Sequence, residues 1–471
     1  MTRAILAIPF VLAACTSIPA TRELVLSAAP VPVASPGSPG APAARHSTAE
    51  PRASRWPDLG DSVLTALLLE ARRANGDILV AEQRLNAARA SRRLAVLDQL
   101  PRITATGSSM RQQLSIAGVP GLTHQLPAQQ LWDVGFDASY ELDFFGRIGN
   151  AARAQQTLVA SNEYSVDDVQ LSVEAEVARS YFELRGAQRQ LAVALRNAEN
   201  QRHIVKLTED RLAAGRGNAF DTERAKSELY LTLAATPQLE ADIAAQREQI
   251  AVLVGRAPRA LPATLFIDAP PPKLPDTVDM RPDEAIVRHR PDVQAAERKL
   301  AAQTMLVGAA RAEYLPRVAL SVHGGYAANS FDSLSRSGTS RWLAGPVVSF
   351  PFLDLGRVRQ YVDLARAERD AAQAEYKTTV VRAISEGNTA VVRYDRAKAR
   401  LAVLETAATA SARAAQLAQE RFDAGLTDFL QVLDAQRTLL DAENQLAIAQ
   451  TAAATALVAA YKAAGGSWSA P

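Results

Sequence analysis

The chain has 471 residues, 48% of them hydrophobic, and Lys plus Arg number 52 against 50 for Asp plus Glu. So even a balance, without a basic block, gives no electrostatic reason to expect nucleic acid or another polyanion as partner. Aromatics make up only 6% while alanine is abundant, which suits close-packed helices better than a conventional mixed core.

The N-terminus reads as a targeting segment. Arg3 supplies a positive region, Ala4 to Phe10 an apolar stretch, and "LAAC" (Leu12 to Cys15) a lipobox ending at the chain's only cysteine. Residues 1–14 are therefore expected to be a lipoprotein signal peptide, with the Cys15 thiol acylated after cleavage; an ordinary signal peptide with a chance cysteine is the plain alternative. Residues 15–55, rich in Pro, Ala and Ser, read as a tether too poor in large apolar residues to fold alone. Beyond it no stretch is expected to approach the 18 or more apolar residues of a membrane-spanning helix, so any crossing must use β-strands.

From Arg55 the apolar residues take helical spacing, and one helix is expected to run towards Leu100, where Pro101 stops it. "WDVGFDASYELDFFG" then alternates with period two. Val134, Phe136, Ala138, Tyr140, Leu142 and Phe144 share one face, and Asp133, Gly135, Asp137, Ser139, Glu141 and Asp143 the other. A soluble half-buried strand would alternate too. The length, the interface-type aromatics Trp132 and Tyr140 and the acidic opposite face favour a membrane barrel, with Asp133, Asp137, Glu141 and Asp143 facing water in its lumen. The strand beginning at Arg102 alternates more weakly.

A helix of unusual length follows. Between Asn150 and Leu212 there is no proline and one glycine, Gly186, and Leu184, Leu191, Ala198, Val205 and Leu212 recur every seven residues as a coiled-coil seam. Gly215 sits where a C-cap is needed, and a shorter helix is expected to return to Gly255.

The chain then repeats itself. Asp77, Glu82 and Pro101 recur 215 residues later as Asp292, Glu297 and Pro316. Trp132, Gly146, Gly215 and Gly255 recur 210 residues later as Trp342, Gly356, Gly425 and Gly465. The slip of five falls between Arg102/Arg317 and Trp132/Trp342, where a loop can absorb it. The second strand with clear alternation places Trp342, Ala344, Pro346, Val348, Phe350 and Phe352 on one face, although Pro346 and Pro351 argue against a regular central strand. The second seam is Tyr394, Leu401, Ala408, Ala415 and Phe422. The expected organisation is thus a first repeat over 56–256, a Pro-rich crossover over 257–281, a second repeat over 282–466 and a tail over 467–471.

Each repeat supplies one hairpin, four strands in all. The smallest membrane barrels need about eight, and an open edge in lipid leaves backbone groups unsatisfied, so identical chains must share a barrel.

"FGRIGNAARA" from Phe145, "RPDVQAAERKLAAQ" from Arg290, "RFDAGLTDFLQVLDAQRTLLDAENQL" from Arg421 and "YKAAGGSW" from Tyr461 resemble the outer-membrane efflux protein family, the TolC-like channels, and within it the OprM/NodT-type lipoproteins. The likeness covers nearly the whole chain from Trp56; after Cys15, where that branch usually carries a "GPDY"-like string, this chain has "TSIPATREL". The resemblance implies a mainly α fold with a small β part. A long α-helical coiled-coil barrel would continue from four transmembrane β-strands per chain, completing a 12-stranded β-barrel as a homotrimer in outer-membrane lipid and extending into the periplasm. It implies a periplasmic adaptor docked on the helix tips around Arg211, Gly215, Arg421 and Gly425, and an inner-membrane pump, of the RND type in preference to the ABC type. It also maps the periplasmic aperture, through "LDAQR", to Leu430 and Asp434, three copies of which would form a cation-favouring ring. TolC has a second aspartate where this chain has Gln431. Without the resemblance, Asp434 would read as a surface carboxylate pairing with Arg437.

No cofactor, metal site or catalytic residue is expected: the five histidines are scattered, and there is no Walker or dinucleotide fingerprint. Two other readings stand beside the channel. A periplasmic adaptor lipoprotein predicts one helical hairpin, not two, and a pore-less coiled-coil scaffold leaves the acidic face after Trp132 unexplained.

Overall fold

A computed structural model describes residues 60–113, 115, 123–125, 127–269, 274–275 and 287–466, all within one unit, Arg52–Pro471. The signal peptide, Cys15, the tether and the 467–471 tail lie outside the described residues, as does much of the crossover.

Both repeats are built alike. The first runs α1 (Ser62–Ala74), α2 (Gly76–Leu97), β1 (Arg102–Gln112), β2 (Gln129–Leu142), α3 (Arg147–Ala213), α4 (Ala219–Ala234) and α5 (Thr236–Leu253). The second runs α6 (Pro291–Ala312), β3 (Arg317–Ala328), β4 (Ser340–Ser349), α7 (Leu355–Asp423) and α8 (Phe429–Ala463). At about 1.5 Å per residue, α3 and α7 are each about 100 Å long. The four strands form one antiparallel sheet in the order β1-β2-β3-β4.

Three sequence expectations are corrected. The helix expected from Arg55 to Leu100 is two, broken at Asn75, whose side chain accepts from the N–H groups of Asp77 and Ile78 and donates to the Leu253 carbonyl. An N-cap therefore starts α2 afresh. The first returning helix is likewise two, because Pro237 stands in the first turn of α5, where its missing N–H costs nothing; its counterpart α8 is continuous. Finally, α8 is long and apolar enough to cross a membrane by length and composition, with a mean hydropathy of 1.2 over an 18-residue window. Its apolar residues, alanine prominent among them, serve packing: Ala447, Ala453, Ala454, Leu457 and Val458 are buried, and α8 lies against α3 and α7.

Pro346 does not interrupt β4. It pairs with Leu320 in a strand that lies at the sheet edge, the position where a missing N–H is best tolerated. The strand stops at Ser349, before Pro351.

The largest core lies where the helices crowd around the middle of the rods. Leu64, Leu67, Leu68 and Ala71 of α1 pack with Val177, Tyr181, Phe182 and Leu184 of α3 and Ile250 of α5. Gly186 belongs to this region for a steric reason, since a Cβ there would overlap Thr451 of α8. The seams are largely inward: Leu184, Ala198, Tyr394, Ala408, Ala415 and Phe422 are buried, while Leu212 at the rod end is exposed.

Candidate functional site

The sheet register sorts the side chains into two faces. Because residues directly opposite one another point the same way, each paired row lies on one face of the sheet. Ala105, Phe136, Gly324 and Trp342 form one row, Ile103, Ala138, Val322 and Ala344 the next, and Tyr140, Leu320 and Pro346 a third. All are apolar. The other face carries Thr104, Asp137, His323 and Leu343 in one row and Ser108, Asp133 and Ala327 in another, polar across β1 and β2 and apolar where the rows end. The apolar rows leave Phe136 65% and Trp342 82% exposed, which no soluble sheet of this size would do without a cover.

The acidic face is not uniformly negative. Asp133 pairs with Arg341 of β4, and Asp137 with His323 of β3, Nδ1 to Oδ1 at 2.5 Å. Glu141 makes a two-pronged ion pair with Arg147, receiving Nε at 3.0 Å and Nη2 at 2.7 Å. Asp143 lies past the strand and accepts the Gly149 N–H at 2.7 Å in the first turn of α3. The last two carboxylates thus fix the angle between sheet and rod. Arg341 and His323 were not legible as their neighbours' partners in the sequence, since cross-strand pairing depends on register.

At the opposite end the two tips are built alike. Gly215 and Gly425 both have φ of +71°. In each tip the N–H one residue past the glycine returns to the carbonyl of the arginine four residues before it: Arg216 to Arg211 and Leu426 to Arg421. This is the Schellman closure, which a left-handed residue permits. Asn218 and Asp428 then cap the next helices, accepting from Asp221 and Gln431. The tips share a small core of Ile204, Ala225, Phe422, Phe429, Val432 and Leu433. Arg211 reaches into it with its guanidinium 4.1 Å from the Phe422 ring centroid, and Phe422 meets Phe429 at 5.6 Å.

Leu430 and Asp434 lie one turn apart on the side of α8 that faces away from this core, both exposed. The Arg437 pairing is not formed among the described residues. Nor does any group of three or more His, Cys, Asp or Glu among them come together as a metal site.

The sequence description "Outer membrane efflux protein" matches residues 67–256 and 283–466, the two structural repeats. The chain belongs to this family. Outer membrane protein OprJ of Pseudomonas aeruginosa is 30% identical over 390 residues, covering 82% of this chain and 80% of OprJ. The probable efflux pump outer membrane protein TtgC of Pseudomonas putida is 27% identical over 477 residues, covering 99% of this chain and 96% of TtgC. The solved structure of the outer-membrane channel OprN aligns with a TM-score of 0.82 at 36% identity, over 88% of this chain and 93% of that one. This family member therefore has the fold of the TolC-like channels, which combine a helical barrel with a β-barrel portion, and functions as the outer-membrane component of an efflux pump.

Proposed function

We propose that three copies of the chain form a passive efflux duct through the outer membrane, joined to an inner-membrane pump of the RND type by a periplasmic adaptor. The observation that carries this reading is the sorted sheet. Four strands with one largely apolar face and one bearing the carboxylates of β2, and with open edges at β1 and β4, are satisfied in lipid only by closing with further copies. Three copies give 12 strands. Cys15 would anchor each chain by its acyl group.

In this assembly Asp133, Asp137, Glu141 and Asp143 lie on the watery side of the barrel, with Arg341 and His323 tempering their charge. The helical tips at Arg211, Gly215, Arg421 and Gly425 receive the adaptor. Leu430 narrows the periplasmic end, and Asp434 sets a ring of three carboxylates there, favouring cations over anions. In cells, deletion of the gene should raise retention of a fluorescent cationic pump substrate, and the intact gene should restore its release. In bilayers, Asp434→Asn should reduce cation preference, read as a reversal potential in a KCl gradient. Unchanged selectivity in Asp434→Asn would remove the residue from the aperture.

A further inference from the structure

We propose that the lipid-facing side of the sheet binds one phosphorylated, multiply acylated lipid of the outer leaflet, with an acyl chain over Gly324 between Phe136 and Tyr326 and a phosphate on Arg336. The proposal rests on the reading of the sheet as part of a membrane barrel and gives its outer wall a ligand.

Glycines cut the groove. On the apolar face a concavity of about 410 Å³ runs over Gly324 and the backbone of Gly135 and Gly325, walled by Phe136 and Tyr326 and reaching Ser340 of β4. The three glycines are not equivalent. A Cβ at Gly135 would overlap the Gly324 carbonyl, and one at Gly325 the Val134 carbonyl, so the close approach of β2 and β3 dictates those two. At Gly324 a Cβ would meet nothing within 4 Å, the φ angle is not in the left-handed region, and β3 already has both its sheet neighbours. Nothing in the fold asks for glycine there, and glycine weakens a strand interior. Its missing side chain leaves the row of Phe136, Gly324 and Trp342 open in the middle, with a ring-bearing strand about 4.8 Å to either side. That gap suits a single polymethylene chain.

Depth selects the leaflet. Leu142 ends β2 at the rod, and Phe136 lies about 20 Å along the strand from it, roughly 15 Å of height at a tilt of about 40°. The apolar band of a barrel is about 25 Å tall, so the groove falls in its outer half. Beyond the groove Trp132 meets Phe331 edge to face at 5.3 Å, an aromatic pair suited to the outer interface.

Charge selects the headgroup. Arg336 sits in the β3–β4 turn, its carbonyl accepting from the Thr339 hydroxyl at 2.7 Å, and its side chain is exposed with no ion pair among the described residues. Arg111 of β1 is exposed as well and pairs in register with Gln130, on the same outward face as Trp132. Asp332 is the one carboxylate of the β3–β4 turn, and the sequence has no Asp or Glu between Asp98 and Asp133. Arg341 is already taken by Asp133 on the polar face. The outward rim therefore carries spare guanidinium groups, which bind phosphate through paired hydrogen bonds. A lipid whose phosphates carry no attached cation matches both rim and groove; a zwitterionic phospholipid matches only the groove.

The test uses the full chain with Trp342 as its only tryptophan, after Trp56→Phe, Trp132→Phe and Trp468→Phe, in bilayers of phosphatidylethanolamine with brominated chains. The bromines should quench Trp342. Unbrominated lipid A should restore the fluorescence at a mole fraction at least tenfold below that required of unbrominated phosphatidylethanolamine. Gly324→Leu, which fills the groove, should abolish this preference, and the smaller Gly324→Ala should reduce it. Arg336→Gln should lower it several-fold, as should removal of the phosphates from lipid A. Equal restoration by the two lipids, or a preference that survives both Gly324 variants, overturns the site and leaves the channel reading standing. A Trp342 that no brominated lipid quenches puts the sheet outside the membrane and overturns both.

Discussion

Arg211 at the end of the first rod stacks on Phe422 at the end of the second, 4.1 Å from the ring centroid, so the two tips of one chain are tied by a contact between the repeats. The contact is worth about 0.5–1 kcal/mol at a partly exposed site, whereas the buried Phe422 ring itself is worth about 3–5 kcal/mol. Arg211→Ala should therefore leave the tips folded and Phe422→Ala should loosen them. Limited proteolysis would distinguish the two: cleavage near residues 213–218 or 423–428 should rise sharply in Phe422→Ala and little in Arg211→Ala.

A bulky residue at Gly425 acts differently. Nothing lies within 4 Å of a Cβ built there, so the cost inside the chain is the strain of a side chain at φ +71°, about 1 kcal/mol. Gly425→Trp should leave oligomers intact on an unheated gel while abolishing efflux, because the protruding ring blocks docking. Normal drug resistance in that variant would show that the tip does not carry the adaptor.

Gly186 is the only glycine in the interior of the long first seam, and its need is packing. Thr451 Cγ2 lies 2.9 Å from where a Cβ would stand, with its hydroxyl closer still. Gly186→Ala should cost about 1–3 kcal/mol by overpacking. Thr451→Ala should return part of that loss in the double variant, measured by thermal unfolding; strict additivity of the two changes would deny the contact.

Asp168 gives a pH dependence. Burial raises its carboxyl above the ordinary value, reinforced by Asp292 and Glu386 and opposed by Lys462 and Arg290. A carboxyl that holds its proton more tightly when folded costs stability above its folded pKa, and the cost disappears below its unfolded pKa. Asp168→Asn should thus raise the melting temperature at pH 7, and the gain should shrink as pH falls through the carboxylate range. A gain that grows on acidification would contradict the sign.

The repeat was legible because its punctuation is chemically restricted. Gly215, Gly255, Gly425 and Gly465 all have positive φ, which few other residues adopt, so the same letter marks the same turn in both halves. The period-two alternation after Trp132 revealed the two faces of β2 for a similar reason. What escaped were features set by distant neighbours. Asn75 breaks α1 from α2 partly through the Leu253 carbonyl, 178 residues away, and Arg341 meets Asp133 only once β3 has set the register between β2 and β4. In α8 the apolar stretch is longer than the sequence reading allowed, because packing against α3 and α7 calls for small apolar residues along much of the helix.

The central claim is that copies of this chain enclose a pore, and planar-bilayer recording of the purified full-length protein tests it most directly. Discrete, reproducible conductance steps with a preference for cations are predicted. A protein that inserts as heat-dissociable oligomers yet passes no current, under conditions where a known porin conducts, would contradict it.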